Sequence, residues 1–154
     1  MPARLPRYRL NVAAMLLTPD GDLLVCERLH LNGAWQFPQG GVDRGESLEE
    51  AITRELQEEI GVTADQWIEL RQIGPLRYHF GGGREIRGFH GKDQHFFLLE
   101  YFGDPLGIEV RQPDQEFGAF QWIRPEEFQL SWLPETKREM YQQAFTQLLG
   151  LPLR

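Results

Sequence analysis

The segment Ser47 to Ile60 reads as a helix whose apolar stripe carries carboxylates. Ser47 with Glu50 three residues later makes a capping box, and Gly61 supplies the C-terminal stop. With Leu48 as origin, Ile52 lies at roughly 40°, Leu56 at roughly 80°, Ile60 at roughly 120° and Ala51 at roughly 300°. These four residues define a core-facing stripe. Glu50, Thr53, Arg54 and Gln57 fall on the opposite side and are expected to face solvent. Glu55, near about 340°, and Glu59, near about 20°, lie inside the stripe, with Glu58 beside them at about 280°. A carboxylate turned toward a core is costly unless it is paired or bound to a cation. A solvated face accounts for Glu49 and Glu50 but not for Glu55 and Glu59. Three carboxylates spaced i, i+3 and i+4 converge within one turn and suit a hard divalent ion such as magnesium or manganese. Zinc fits poorly, because the chain has one cysteine and no histidine pair at ligand spacing.

The remaining pattern is rich in strands. Asn11–Leu17 and Leu23–Cys26 are apolar runs separated by Pro19-Asp20-Gly21, which reads as a hairpin. Trp35-Gln36-Phe37-Pro38 is a short extended piece leading into Gly40-Gly41, a pair that lets backbone approach a ligand closely. Leu76–Phe80 and His95–Tyr101 read as strands around a Gly81-Gly82-Gly83 loop, and Phe117–Ile123 as another. A short helical turn follows Pro125, and Thr136–Leu149 is the last helix. Strands outnumber helices and are interleaved with them, which implies an α+β, layered fold. No internal repeat or low-complexity stretch breaks the 154 residues, so a single domain spanning 1–154 is expected.

Composition bounds the function classes. The net charge is −7 and the sequence pI about 5.1, which argues against a broad DNA coat of clustered cations. The acidic total conceals a local excess of the other sign. Between Arg71 and Lys92 stand five cations (Arg71, Arg77, Arg84, Arg87, Lys92) against Glu85 alone. Such a segment can steer and clamp an anionic substrate. The single cysteine, Cys26, fits a reducing cytoplasm and reads as a small strand residue. Met1 to Leu10 has no long apolar run, so no secretory signal is read there, and no membrane span is expected.

Gly40 to Val62 reads GGVDRGESLEEAITRELQEEIGV. This resembles the Nudix box: a glycine, five residues, a glutamate, seven residues, then Arg-Glu-apolar-any-Glu-Glu-any-Gly-apolar. Gly40, Glu46, Arg54, Glu55, Leu56, Glu58, Glu59, Gly61 and Val62 all match. The resemblance implies a Nudix-type α/β/α sandwich with a mixed central sheet and hydrolysis of nucleoside diphosphates linked to another group. It further implies that Glu55, Glu58 and Glu59 hold magnesium or manganese together with the Gly40 backbone, that Arg54 orients the glutamates, and that Glu46 braces loop and helix.

The flank Trp35-Gln36-Phe37-Pro38-Gln39-Gly40-Gly41 is similar to that of bacterial RNA 5′-pyrophosphohydrolases, also called dinucleoside polyphosphate hydrolases. Tyr8-Arg9, Asn11-Val12, Arg77-Tyr78, Gln94, Glu116-Phe117 and Lys137-Arg138 extend the likeness along most of the chain. Carried over residue by residue, it implies that Arg9 and Lys137 contact phosphates, that Arg28 belongs to the substrate-binding set, and that Tyr78 lies near a base or the phosphate chain. Glu116 is implied as a further metal ligand or the general base, a role also open to Glu59. The substrates implied are RNA 5′ ends or dinucleoside polyphosphates, with free nucleoside triphosphates or other nucleoside diphosphate derivatives as the alternative. A binding module on the same fold would show a degraded box, and this box is intact. The short chain leaves no room for the N-terminal dimerisation region of other members, so a monomer is expected.

The chain departs from the branch at two positions: His95 stands where a lysine is usual, and Thr136 where many members have phenylalanine. Trp132 is a candidate replacement for that phenylalanine ring.

Overall fold

The computed structural model describes residues 5–154. Residues 1–4, the start of the segment read as no secretory signal, lie outside the described residues. Seven strands form one mixed sheet: β1 (Tyr8–Leu17), β2 (Leu23–Arg28), β3 (Trp35–Gln36), β4 (Gln39–Gly41), β5 (Trp67–His79), β6 (Gly91–Tyr101) and β7 (Phe117–Ile123). The order is β3-β2-β1-β6-β5, with β4 paired to β1 and β7 paired to β2. Helix α1 (Leu48–Ile60) covers one face and α2 (Glu135–Leu149) the other. No helix among the described residues is long and apolar enough to cross a membrane.

Side-chain alternation along β1 assigns its two faces. Val12, Ala14 and Leu16 pack with Ile52, Leu56 and Ile60 of α1. Ala13 and Met15 pack with Met140, Tyr141, Ala144 and Phe145 of α2. On β6 the same division separates Phe97 and Leu99 from Phe96 and Leu98. The expected sandwich is therefore present, with a sheet buried on both sides.

Several local expectations change. The hairpin between β1 and β2 exists, but the strands pair only at Leu17↔Leu23. Beyond that point they splay, and β4 takes the place beside β1 through Asn11↔Gly41, Val12↔Gly40 and Ala13↔Gln39. Strand β5 begins at Trp67 rather than Leu76, and β6 at Gly91 rather than His95. The ladder passes Gly74-Pro75 as a bulge, from Ile73↔Phe96 to Leu76↔Gln94. A proline is tolerated there because β5 is an edge strand and the bulge needs no N–H from it.

Helix α1 forms as its sequence pattern implies. Ser47 Oγ accepts from Glu50 N at 3.0 Å and Glu50 Oε1 accepts from Ser47 N at 3.1 Å. Gly61 closes the helix at φ 70, a left-handed conformation that glycine adopts without strain. Cys26 is fully buried on β2.

Candidate active site

Strand β4 lies where the loop, the sheet and α1 meet, and its two glycines face opposite ways. A Cβ on Gly40 would coincide with the Glu55 carboxylate, whereas one on Gly41 would coincide with the Arg9 guanidinium. The absence of side chains here admits an acid on the α1 side and a cation on the α2 side.

On the α1 side, a groove of about 1260 Å³ is lined by Glu46, Arg54, Glu55, Glu58, Glu59 and Glu116, among others. Glu59 is only 5% exposed, and its Oε1 accepts from Gln39 N at 2.9 Å. Burial raises the Glu59 carboxyl well above the ordinary range, and the Glu55 and Glu116 charges add to the shift. Glu55, with a side chain 12% exposed, is likewise raised by burial. Glu58 projects at 59% exposure. Glu116, just before β7, stands exposed at the rim, and its backbone oxygen accepts from Leu29 N at 2.9 Å.

Arg54 corrects one expectation. Placed on the solvent side by the helical wheel, its side chain is only 26% exposed. Its guanidinium donates to Glu46 through Nε at 2.8 Å and Nη2 at 2.9 Å, to Gly41 O at 2.8 Å and to Glu55 Oε1 at 2.8 Å. The loop folds over the helix at this point and covers what would otherwise be an exposed face. The Arg54 hydrogen bonds hold Glu46 down at about 2, and Glu46 in turn accepts from Asp43 N at 2.9 Å.

The donor set suits a divalent cation by charge and chemistry. It is all oxygen, it places Glu55, Glu58, Glu59 and Glu116 in one groove, and the Gly40 backbone closes beside Glu55. As the side chains stand, no three acidic or histidine side chains among the described residues close around a single point. Arg54 takes up one Glu55 oxygen and the Gln39 N–H one Glu59 oxygen.

On the α2 side, the pairings Arg9↔Lys92 and Tyr78↔Lys92 set three side chains in a row across β1, β6 and β5. Lys137 Nζ lies 5.5 Å from the centre of the Tyr78 ring. Burial, reinforced by Lys92 and Arg28, lowers the Lys137 ammonium to about 8. Lys92 is lowered by burial and then by Arg9 and Arg28, while Glu116 and Glu55 act on it in the opposite sense. The structure thus brings Arg9, Arg28, Tyr78 and Lys137 into one cluster. Lys92, which the sequence marks only as one charge of a basic segment, joins them. Its signal was the two-residue offset from Gln94, which puts it on the same face of β6.

Other expected contributors lie elsewhere. Arg77 is held by Asp93 at 2.8 and 3.0 Å and stacks over Tyr8 at 3.7 Å. His95, by strand alternation with Phe97, belongs to the α1 face, and burial lowers its pKa. Trp132 packs on Trp35 at 6.3 Å and edge-on to Phe128 at 5.1 Å. Thr136 lines a separate groove of about 390 Å³ with Arg77, Tyr78, His79 and Glu139, in which Trp132 takes no part.

Comparison with known proteins agrees with this architecture. The NUDIX domain model matches residues 7–144. The "RNA pyrophosphohydrolase" of Erythrobacter litoralis is 36% identical over 145 residues, covering 88% of this chain and 87% of that protein. The "RNA pyrophosphohydrolase" of Helicobacter pylori is 37% identical over 145 residues, covering 89% and 90%. Two solved structures share the fold. An Ap4A hydrolase from C. elegans has a TM-score of 0.59 at 17% identity, covering 93% of this chain and 99% of that one. The E. coli dihydroneopterin triphosphate pyrophosphohydrolase has a TM-score of 0.62 at 20% identity, covering 94% and 98%. Nudix hydrolases generally need divalent metal ions. An intact box folded as a loop–helix acidic site, together with these matches, means that the chain belongs to the Nudix family, in the branch of the bacterial RNA pyrophosphohydrolases.

Proposed function

We propose that this protein removes pyrophosphate from 5′-triphosphorylated RNA ends, with dinucleoside polyphosphates as substrates of the same site. One observation carries the reading. Glu55 of the acidic groove (Glu55, Glu58, Glu59, Glu116) and Arg9 of the cationic cluster (Arg9, Arg28, Lys92, Lys137) abut adjacent residues of the same short strand, Gly40 and Gly41, and Arg9 pairs across the ladder with Lys92. A polyphosphate needs both kinds of neighbour: cations to neutralise its outer oxygens and a metal-bearing centre at the bond to be cleaved. The names of the relatives support RNA as substrate.

Glu55, Glu58, Glu59 and Glu116, with the Gly40 backbone, would hold magnesium or manganese, the hard ions that all-oxygen donors prefer. Bound there, the ions supply charge neutralisation at the phosphate oxygens and an acidified water. Arg54 keeps Glu55 and Glu46 in place. Arg9, Arg28, Lys92 and Lys137 grip the phosphates outside the acidic groove, and the Tyr78 ring walls the cluster beneath Lys137. Glu116, exposed at the rim, takes the proton of the attacking water. Glu59, buried and bonded to backbone, is the alternative base. No covalent intermediate is needed. In this reading the protein acts on RNA in the cytoplasm as a monomer, without binding DNA or membrane.

The test is direct. Purified protein with magnesium or manganese is incubated with triphosphorylated RNA, diadenosine tetraphosphate and free nucleoside triphosphates, and the rates are compared. Fastest turnover of the RNA supports the reading. Preference for free triphosphates would favour a nucleotide-pool hydrolase, and no turnover of any of the three with metal bound would rule out the proposed activity.

A further inference from the structure

Between the two halves of the site the sheet carries a buried polar group that packing alone does not call for. Asn11 on β1 is 1% exposed and Gln94 on β6 is fully buried, directly opposite each other in the ladder. Their neighbours two residues along the same face are Ala13 and Phe96, both apolar and both core. Asn11 Nδ2 donates to Gln94 Oε1 at 2.7 Å and to Gln39 Oε1 at 3.2 Å. The other halves of the two amides, Asn11 Oδ1 and Gln94 Nε2, have no hydrogen-bond partner among the described residues. Burying two primary amides with half their capacity unmet costs stability, and a pair of similar apolar side chains would avoid that cost. A reason other than stability is needed.

Gln39 supplies it. Its side chain accepts from Asn11, while its backbone N–H donates to Glu59 at 2.9 Å. The next residue, Gly40, lies against Glu55. Strand β4 is only three residues long and pairs with β1 alone, so few ladder bonds set its place between β1 and α1. We infer that Asn11 and Gln94 are positioning residues: their buried amide pair, acting through the Gln39 side chain, fixes β4 so that Gln39 N–H holds Glu59 and Gly40 abuts Glu55. The inference rests on the reading of the acidic groove as the divalent-cation site. It assigns to the middle of the sheet the task of shaping that site from behind.

The test compares wild type with the Asn11→Leu/Gln94→Leu double variant and with Gln39→Leu, which removes only the link to β4. Manganese affinity is measured by the loss of the free-ion paramagnetic signal, stability by thermal unfolding, and catalysis by separate kcat and KM on triphosphorylated RNA. Both variants are expected to bind Mn²⁺ about tenfold more weakly or worse, the usual consequence of freeing a ligand's outer support. Their kcat should drop while KM stays near that of wild type, and the unfolding midpoint should hold. A folded double variant with wild-type Mn²⁺ affinity overturns the inference. If the double variant does not fold, Gln39→Leu decides: weakened Mn²⁺ binding sustains the inference, and wild-type binding overturns it. Wild-type protein that binds no Mn²⁺ would overturn both this inference and the metal-site reading, whereas wild-type binding with unchanged variants overturns this inference alone.

Discussion

Gly40 and Glu55 pack so closely that a Cβ on Gly40 would clash with the Glu55 carboxylate. The glycine of the box is therefore required by contact, since its φ does not lie in the left-handed region that favours glycine elsewhere in the chain. Glu55 in turn is held by Arg54 Nη1 at 2.8 Å, so it cannot withdraw without breaking that bond.

Gly40→Ala should accordingly separate site geometry from folding. The methyl forces Glu55 off its place, at an overpacking cost of about 1–3 kcal/mol. Manganese binding and kcat should each fall by about 10- to 100-fold, the range expected when a ligand's geometry is lost. Calorimetric titration with Mn²⁺ and steady-state kinetics measure both. An alanine variant with wild-type values would show that Glu55 is free to move.

Arg54 is the second junction, and its replacement by lysine should behave as a loss. A planar guanidinium reaches Glu46, Gly41 O and Glu55 at once, and an ammonium on a flexible stem cannot reproduce that fork. Arg54→Lys is expected to destabilise the protein by about 1–3 kcal/mol, because partly buried acceptors lose charged partners. Urea denaturation measures this. The variant should also show weaker Mn²⁺ binding, since Glu55 is no longer anchored.

Phe37 tests which part of the WQFPQGG flank serves the site. It is fully buried, stacks on Tyr141 at 5.0 Å and lies within 6.4 Å of Phe96, Phe128 and Phe145. It therefore belongs to the α2-side core, although it lies two residues from Gln39. Phe37→Leu should cost about 1–3 kcal/mol in thermal or chemical unfolding, as shape changes in packed cores do. At temperatures where the variant stays folded, kcat and KM on the preferred substrate should match wild type. A selective loss of kcat would give Phe37 a role at the site.

The contrast between Phe37 and Arg54 shows what a sequence reveals of such a site. The α1 carboxylates were visible because helical periodicity is local: Glu55 and Glu59 fall on the stripe of Leu48, Ile52 and Leu56 whatever lies outside the helix. The same wheel put Arg54 in solvent, because only the returning loop, with Glu46 and Gly41, buries it. The helices and one end of most strands were legible from caps, glycines and apolar runs. Strand β5 was half missed, because Gly74-Pro75 has the local pattern of a break and only pairing with β6 carries the ladder across it. The cationic cluster joins residues from four elements far apart in sequence. Arg9, Arg28 and Lys137 were reached through family resemblance, and Lys92 emerged only from the register of β6 against β1.

Lys137 gives the pH dependence. Burial first, then Lys92 and Arg28, lower its pKa from 10.5 to about 8. Between about 8 and 10.5 the unfolded chain binds a proton that the free folded protein has lost, so this group's contribution to stability rises with pH across that window. Below about pH 8 the ammonium is charged in both states, and holding it beside Lys92 and Arg28 is a cost that a bound polyphosphate relieves. Substrate affinity should therefore move the opposite way. KM for triphosphorylated RNA should be flat up to about pH 8 and rise above it as Lys137 loses its charge. Lys137→Arg, which stays protonated throughout, should keep KM flat through pH 9.5. Lys137→Ala should raise KM about tenfold at pH 7, the scale of one lost hydrogen bond to a charged group. Steady-state kinetics from pH 6.5 to 9.5 on the three proteins measure all of this. A wild-type rise in KM that Lys137→Arg reproduces at the same pH would assign the titration to another group.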